Sequence, residues 1–281
     1  MSGQKISSKN KAVNAARKRI QSNRTERFNA EQIASAIIEG KREELAKAIT
    51  LIESENPSDR PHAQDLLQAI KALSPGEETL RIGITGIPGV GKSTFIERLG
   101  LDFINHGNKV AVLAVDPTSK RTGGSILGDK TRMDELAVHP SAFVRPSPAA
   151  STLGGVARAT MEAVILCEAA GYNRVIIETV GVGQSETSVR EMVDVFTLLL
   201  IGGAGDEVQG IKRGIVEMAD LLVVHKADGE RIDTCIKTAQ SYTNSLHLFP
   251  LPEGGETVKV LTASSTTGDG HDKERKEMVR L

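Results

Sequence analysis

The stretch "LRIGITGIPGVGKST", Leu80 to Thr94, decides the fold. "LRIGIT" reads as a strand, a glycine-rich turn follows, and a helical pattern starts at Lys92. Gly86, Ile87, Pro88, Gly89, Val90, Gly91, Lys92, Ser93 and Thr94 fit G-x-x-x-x-G-K-[S/T] followed by a further hydroxyl. The strand before the motif and the helix after it are the context this motif requires. There the glycines let backbone N–H groups turn inward around a phosphate, and the helix N-terminus adds its positive end. Lys92 is placed to reach β- and γ-phosphates, and Ser93 to put its hydroxyl on Mg²⁺. The bland alternative, an ordinary glycine-rich turn, explains neither the flanking elements nor the Lys-Ser pair.

Strand, glycine-rich turn and helix then recur. Further strands are expected at 109–115, 174–180, 195–201, 220–225 and 258–263, with helices at Lys92–Asn105, Val156–Ala170 and Gly229–Leu246 between them. The strands are continuously apolar, as in a parallel sheet covered by helices on both faces. The expected fold is α/β, a doubly wound, mostly parallel sheet of the phosphate-loop NTPase kind with an N-terminal helical appendage. Ile33, Ala34, Ile37 and Ile38 lie on one helical face, followed by Leu45, Ala48, Ile49 and Ile52, then Leu66, Leu67, Ile70 and Leu73. Asn56-Pro57 and Arg60-Pro61 are expected to break two main helices. The division is a basic tail over 1–28, a helical cap over 29–78, the nucleotide domain over 79–270 and a charged C-terminal end over 271–281.

The 35 basic and 36 acidic residues leave a net charge of -1, which points to no polyanionic partner, and nucleic acid is not expected. The longest apolar runs are far too short to span a bilayer, so no membrane partner is expected either. Cys167 and Cys235 cannot build a disulfide framework and read as buried hydrophobes in a reducing compartment. The basic, Ser- and Asn-rich tail reads as solvated and disordered, giving a cytoplasmic expectation. Its composition also resembles a mitochondrial transit peptide, so the mitochondrial matrix is the second reading.

Phosphoryl transfer needs carboxylates for its metal. Asp116 follows one apolar strand and Glu178 lies near the end of another, at strand ends that face the ligand crevice of a parallel sheet. The long segment 116–133 lacks apolar periodicity and offers Asp129 as a further metal candidate. In "ETVGVGQSE", 178–186, Gly181 or Gly183 is placed to offer an N–H to a γ-phosphate. "LLVVHKADGE", 221–230, ends an apolar strand in His225-Lys226-Ala227-Asp228, one letter away from the Asn-Lys-x-Asp that reads guanine. On its own it is either that loop altered or a surface turn.

These stretches, with "TGGSILGDKTRM", "FVRPSP", "LCEAAGYNRVIIETVGVGQSE" and "DEVQGIK", resemble the MeaB/ArgK-type GTPases that chaperone adenosylcobalamin-dependent methylmalonyl-CoA mutase. The resemblance covers roughly residues 30–270. It implies a slow GTPase, with GTP/GDP and Mg²⁺, that gates adenosylcobalamin delivery to methylmalonyl-CoA mutase or a related acyl-CoA mutase and protects it. It assigns catalysis to Lys92, Glu178 and Lys212, and the Mg²⁺ environment to Ser93, Asp116, Asp129 and Glu178. Coupling to the partner falls to Gly181, Gly183, Gln184, Asp206, Gln209 and Lys212. It also makes "HKAD" the base-reading loop, with Asp228 on guanine, Lys226 along the ring and His225 in place of Asn. Ser264, Ser265 and Thr266 take the place of the family's second base loop. The terminal "HDKERKEMVRL" departs from the family's apolar helix and dimerisation arm, which weakens the expectation of a homodimer.

Three other readings compete. A metal-insertion GTPase would carry a His/Cys site, and the six histidines show no ligand spacing. A transport ATPase or kinase would prefer ATP, against Asp228. A nucleotide-dependent scaffold with little turnover would fit the altered His225.

Overall fold

The computed structural model describes residues 28–74, 78–115, 133–146, 153–179, 185–203, 213–246 and 257–281. Among the described residues three helices come first: α1 (Ala30–Ile38), α2 (Arg42–Ile52) and α3 (Arg60–Leu73). The Asn29 side chain caps α1, accepting from the Gln32 N–H at 3.0 Å. Sequence reading expected Pro61 to break a helix. Instead it stands in the first turn of α3, where the missing N–H of proline costs nothing.

The nucleotide domain runs β1 (Leu80–Gly86), α4 (Lys92–Asn105), β2 (Val110–Val115), α5 (Asp134–Val138), β3 (Ala142–Pro146), α6 (Leu153–Ala169), β4 (Arg174–Thr179), α7 (Ser185–Arg190), β5 (Val195–Ile201), α8 (Arg213–Met218), β6 (Leu221–His225), a 3-10 turn (Gly229–Arg231), α9 (Ile232–Leu246), β7 (Lys259–Ala263) and α10 (His271–Arg280). The strands form one sheet in the order β3-β2-β4-β1-β5-β6-β7, every neighbouring pair parallel. This is the doubly wound α/β fold expected. β3 is an addition: "AFVRP" is a short edge strand with a charge and a proline, so it carries no apolar run to read.

Alternation along the buried strands sorts side chains to two faces. Ala111, Leu113, Val175, Ile177, Phe196 and Leu198 share a core with α6 and all three N-terminal helices. Val110, Val112, Ile176, Leu199, Ile82 and Ile84 share the other with α4, and Met278 of α10 joins them. The helical cap therefore extends one face's core. Arg145 of β3 reinforces the join, pairing with Glu53 at the C-terminal cap of α2 at 2.5 Å and donating to the Thr50 hydroxyl at 3.1 Å. Cys167 and Cys235 are free, buried thiols, as expected.

The terminal segment read as a charged end is a helix built into the second core. His271 and Glu274 are fully enclosed, Met278 is buried, and Arg275 pairs with Asp102 of α4 at 2.7 Å. Gly270 before it holds φ 87, and a Cβ there would collide with the Thr262 carbonyl, so α10 starts tight beneath the end of β7.

Candidate nucleotide site

β1 is the central strand, and the chain order reverses on either side of it, which places the crevice at its C-terminal end. The phosphate loop leaves β1 at Gly86 and enters α4 at Lys92. The Lys92 ammonium donates to the Gly86 carbonyl at 2.7 Å and reaches the Ile87 carbonyl at 3.4 Å, drawing the two ends of the loop together. Ser93 is buried in the first turn of α4, while Thr94, Pro88 and Gly89 are exposed. Gly91 holds φ 97, and a Cβ there would sit 2.9 Å from the His225 ring. Only glycine fits between the loop and the end of β6.

Glu178 is buried near the end of β4, opposite Ile84 of β1 and Ala114 of β2. Beside it the Thr179 hydroxyl donates to the Thr85 hydroxyl at 2.8 Å, fastening β4 to β1 directly behind the phosphate loop. Ser93 and Glu178 thus belong to elements that meet at the mouth of the crevice. Their hydroxyl and carboxylate are the hard oxygen donors that Mg²⁺ takes. Asp116, Asp129, Gly181, Gly183, Gln184, Asp206, Gln209 and Lys212 lie outside the described residues. Among the described residues no three His, Cys, Asp or Glu side chains group as a metal site.

The "HKAD" segment leaves β6 at the same end. Lys226 takes a left-handed φ of 61, and its ammonium donates to the Gly89 carbonyl at 2.8 Å, so its stem lies across the phosphate loop. The Asp228 carboxylate accepts from the Ser264 hydroxyl at 2.5 Å, and the Ala227 N–H donates to the Ala263 carbonyl at 3.0 Å. These bonds join the loops after β6 and β7 into one wall, with Asp228 fixed in position. Thr266 is exposed on the second loop.

His225 is buried, and its Nδ1 lies 2.8 Å from the Val90 carbonyl in the phosphate loop. It supplies the cross-tie that an Asn amide would otherwise give. Its Nε2 meets the Ser265 hydroxyl at 2.7 Å. Burial first, and then nearby Lys226, pushes the imidazole below its ordinary pKa, against the Val90 bond and Asp228. Sequence reading missed His271, whose Nε2 lies 3.1 Å from the same Ser265 hydroxyl. His225 and His271 are far apart along the chain, but one ends β6 and the other comes after the C-terminal end of the neighbouring parallel strand β7, a signal that strand order alone carries.

The family model for the methylmalonyl-CoA mutase-associated GTPase MeaB matches residues 45–280. The chain belongs to the MeaB family. A protein of Caulobacter vibrioides is 53% identical over 245 residues, covering 87% of this chain and 74% of that relative. The GTPase ArgK of Escherichia coli is 48% identical over 235 residues, covering 84% of this chain and 70% of its own length. A mouse relative, the mitochondrial methylmalonic aciduria type A homolog, is 47% identical over 257 residues, and the match spans 62% of it. The solved structure of a LAO/AO transport system kinase aligns with TM-score 0.76 at 38% identity, covering 90% of this chain and 75% of that one. HypB from Helicobacter pylori shares the fold, with TM-score 0.51 at 15% identity. This MeaB-family protein is a GTPase.

Proposed function

We propose that this MeaB-family GTPase is a nucleotide-dependent chaperone for methylmalonyl-CoA mutase or a related acyl-CoA mutase, gating delivery of adenosylcobalamin and protecting the mutase from inactivation. The observation that carries this reading is the family match over residues 45–280, whose description names the mutase. The name of the mouse relative supports it. Among the described residues no cluster of metal-binding side chains favours metal insertion as the alternative cargo.

In this reading Asp228 accepts the guanine N1–H and N2–H, and its bond from Ser264 fixes the angle of approach. Lys226 covers the ring from its anchorage on Gly89. Lys92, already at the loop, turns its charge to the β- and γ-phosphates. Ser93 and Glu178, with Asp116 and Asp129, would hold Mg²⁺, which would supply positive charge against the phosphates. Unaided turnover is slow in this reading. Lys212, with Asp206 and Gln209 on the 202–212 loop, completes the site when the mutase binds, and Gly181, Gly183 and Gln184 report the γ-phosphate. The cytoplasm is the proposed compartment, with the mitochondrial matrix as the second.

GTP turnover with and without purified methylmalonyl-CoA mutase, in wild type and Lys212→Ala, tests this. The mutase should accelerate wild type and leave the variant slow. No acceleration of wild type, and no capture of the mutase in either nucleotide state, sinks the chaperone reading.

A further inference from the structure

An Asn amide carries its donor and its acceptor on fixed atoms, but a neutral histidine must place one proton on one of two ring nitrogens. At His225 that choice decides whether β6 is tied to the phosphate loop or set against it. The Val90 carbonyl, 2.8 Å from Nδ1, can only accept, so the tie needs the proton on Nδ1. With the proton on Nε2 instead, an Nδ1 lone pair would face the carbonyl, and the contact would become repulsive.

Two side chains from beyond β7 bear on the choice. The Ser265 hydroxyl oxygen lies 2.7 Å from His225 Nε2 and 3.1 Å from His271 Nε2. Burial is the largest influence on both imidazoles and lowers the pKa of each, that of His271 to about 4, so both rings are neutral at pH 7. A hydroxyl has one proton to give and lone pairs with which to accept. One arrangement then makes all three contacts hydrogen bonds. His271 donates from Nε2 to the Ser265 oxygen, Ser265 donates to the lone pair on His225 Nε2, and His225 donates from Nδ1 to Val90. The line ends at His271, whose Nδ1 has no hydrogen-bond partner. Phe95 of α4 packs against both rings, 5.6 Å from His225 and 5.2 Å from His271, and closes that side of the line.

We propose that Ser265, seated by His271, is a positioning residue for guanine-nucleotide binding: its hydroxyl fixes the His225 tautomer that holds the phosphate loop at Val90. This role rests on the reading that the loops after β1, β6 and β7 hold the nucleotide. Ser265 belongs to the second of the base loops, yet its hydroxyl is engaged by the two imidazoles. Without that hydroxyl the buried Nε2 lone pair of His225 has no donor, and the Nε2–H tautomer competes. The loop then loses its bond in a share of the molecules. Ser265→Ala should therefore weaken GDP about three- to tenfold.

A fluorescent GDP analogue, titrated into the full chain at neutral pH, measures that loss in two settings: with His225 in place and in the His225→Asn variant. An Asn amide has no tautomer to fix, so in the second setting the loss from Ser265→Ala should shrink to under about twofold. Equal losses in both settings overturn the proposal, because Ser265 would then act by a route that bypasses His225. Histidine nitrogen–proton correlation spectra, recorded without nucleotide, read the tautomers themselves. Wild type should carry the His225 proton on Nδ1 and the His271 proton on Nε2. In Ser265→Ala the His225 proton should move to Nε2 or divide between the two nitrogens. A wild-type His225 protonated on Nε2 overturns the proposal, whether or not a variant folds, and so does an unchanged His225 tautomer in Ser265→Ala. Failure of the nucleotide reading would show instead as absent GDP binding by the wild type, which leaves the spectra to decide the tautomer.

Discussion

Replacing Glu274 by Gln should stabilise the protein at mildly alkaline pH, by an amount that its burial sets. The carboxyl has a pKa of about 8 in the fold against an ordinary 4.5, so the folded chain keeps a proton that the unfolded chain has released. Stability from this group is present below pH 4.5 and is lost as pH rises towards 8, at about 1.36 kcal/mol per unit. His271 acts in the opposite sense. Its value falls from 6.5 to about 4, so the unfolded chain binds the extra proton and stability rises between those limits. The two slopes cancel between pH 4.5 and 6.5. From 6.5 to 8 Glu274 acts alone, and the wild-type fold loses about 2 kcal/mol that the Glu274→Gln variant keeps. Urea denaturation of both proteins at several pH values across that window measures the gap directly. Parallel wild-type and variant curves would refute the reasoning, because they would mean that Glu274 is already ionised in the fold.

Other outcomes follow from the site and the cap. Lys92→Ala should abolish phosphate-dependent GTP binding while circular dichroism stays native, since the ammonium's contacts with the Gly86 and Ile87 carbonyls lie within the loop and not in the core. Gly91→Ala should cost about 1–3 kcal/mol, from a strained φ and a clash with the His225 ring, and should weaken GDP as well; thermal denaturation and calorimetry read the two effects. Arg145→Ala leaves Glu53 nearly buried with its charge uncompensated, a loss of about 1–3 kcal/mol at pH 7. Burial already raises the Glu53 pKa, so denaturation at pH 5, where the acid takes up a proton more readily, should show a smaller loss.

Where side-chain chemistry follows period and motif, the sequence was readable. The helix expected at Lys92–Asn105 has those bounds, and the central strands fall within a residue of their expected limits, because continuous apolar runs between glycine-rich turns have one good solution in a parallel sheet. β3 escaped because an edge strand carrying Arg145 and Pro146 needs no apolar run. α10 escaped for a different reason. Its inward positions include His271, Glu274 and Glu277, so the helical period is present but filled with ionisable groups that apolar counting treats as solvent-facing. His225 was read from the sequence as the altered first residue of a base-reading loop. That its ring keeps the tie to Val90 depends on a 2.8 Å contact made across the sheet, which no local pattern encodes.

The position of β1 also bears on how the protein is made. Among the described strands the phosphate loop's is the earliest in the chain, yet its neighbours are β4 and β5: Leu80 pairs with Arg174, and Ile82 with Val195. The N-terminal helices wait as well, because the face they cover includes α6 and β5. A nascent chain that ends before β5 therefore holds the whole phosphate motif without either complete side of its frame, and the loop closure that joins them is long-range. Nucleotide capture is a late event of synthesis. It comes only after β6 and β7 have completed the other side of that frame.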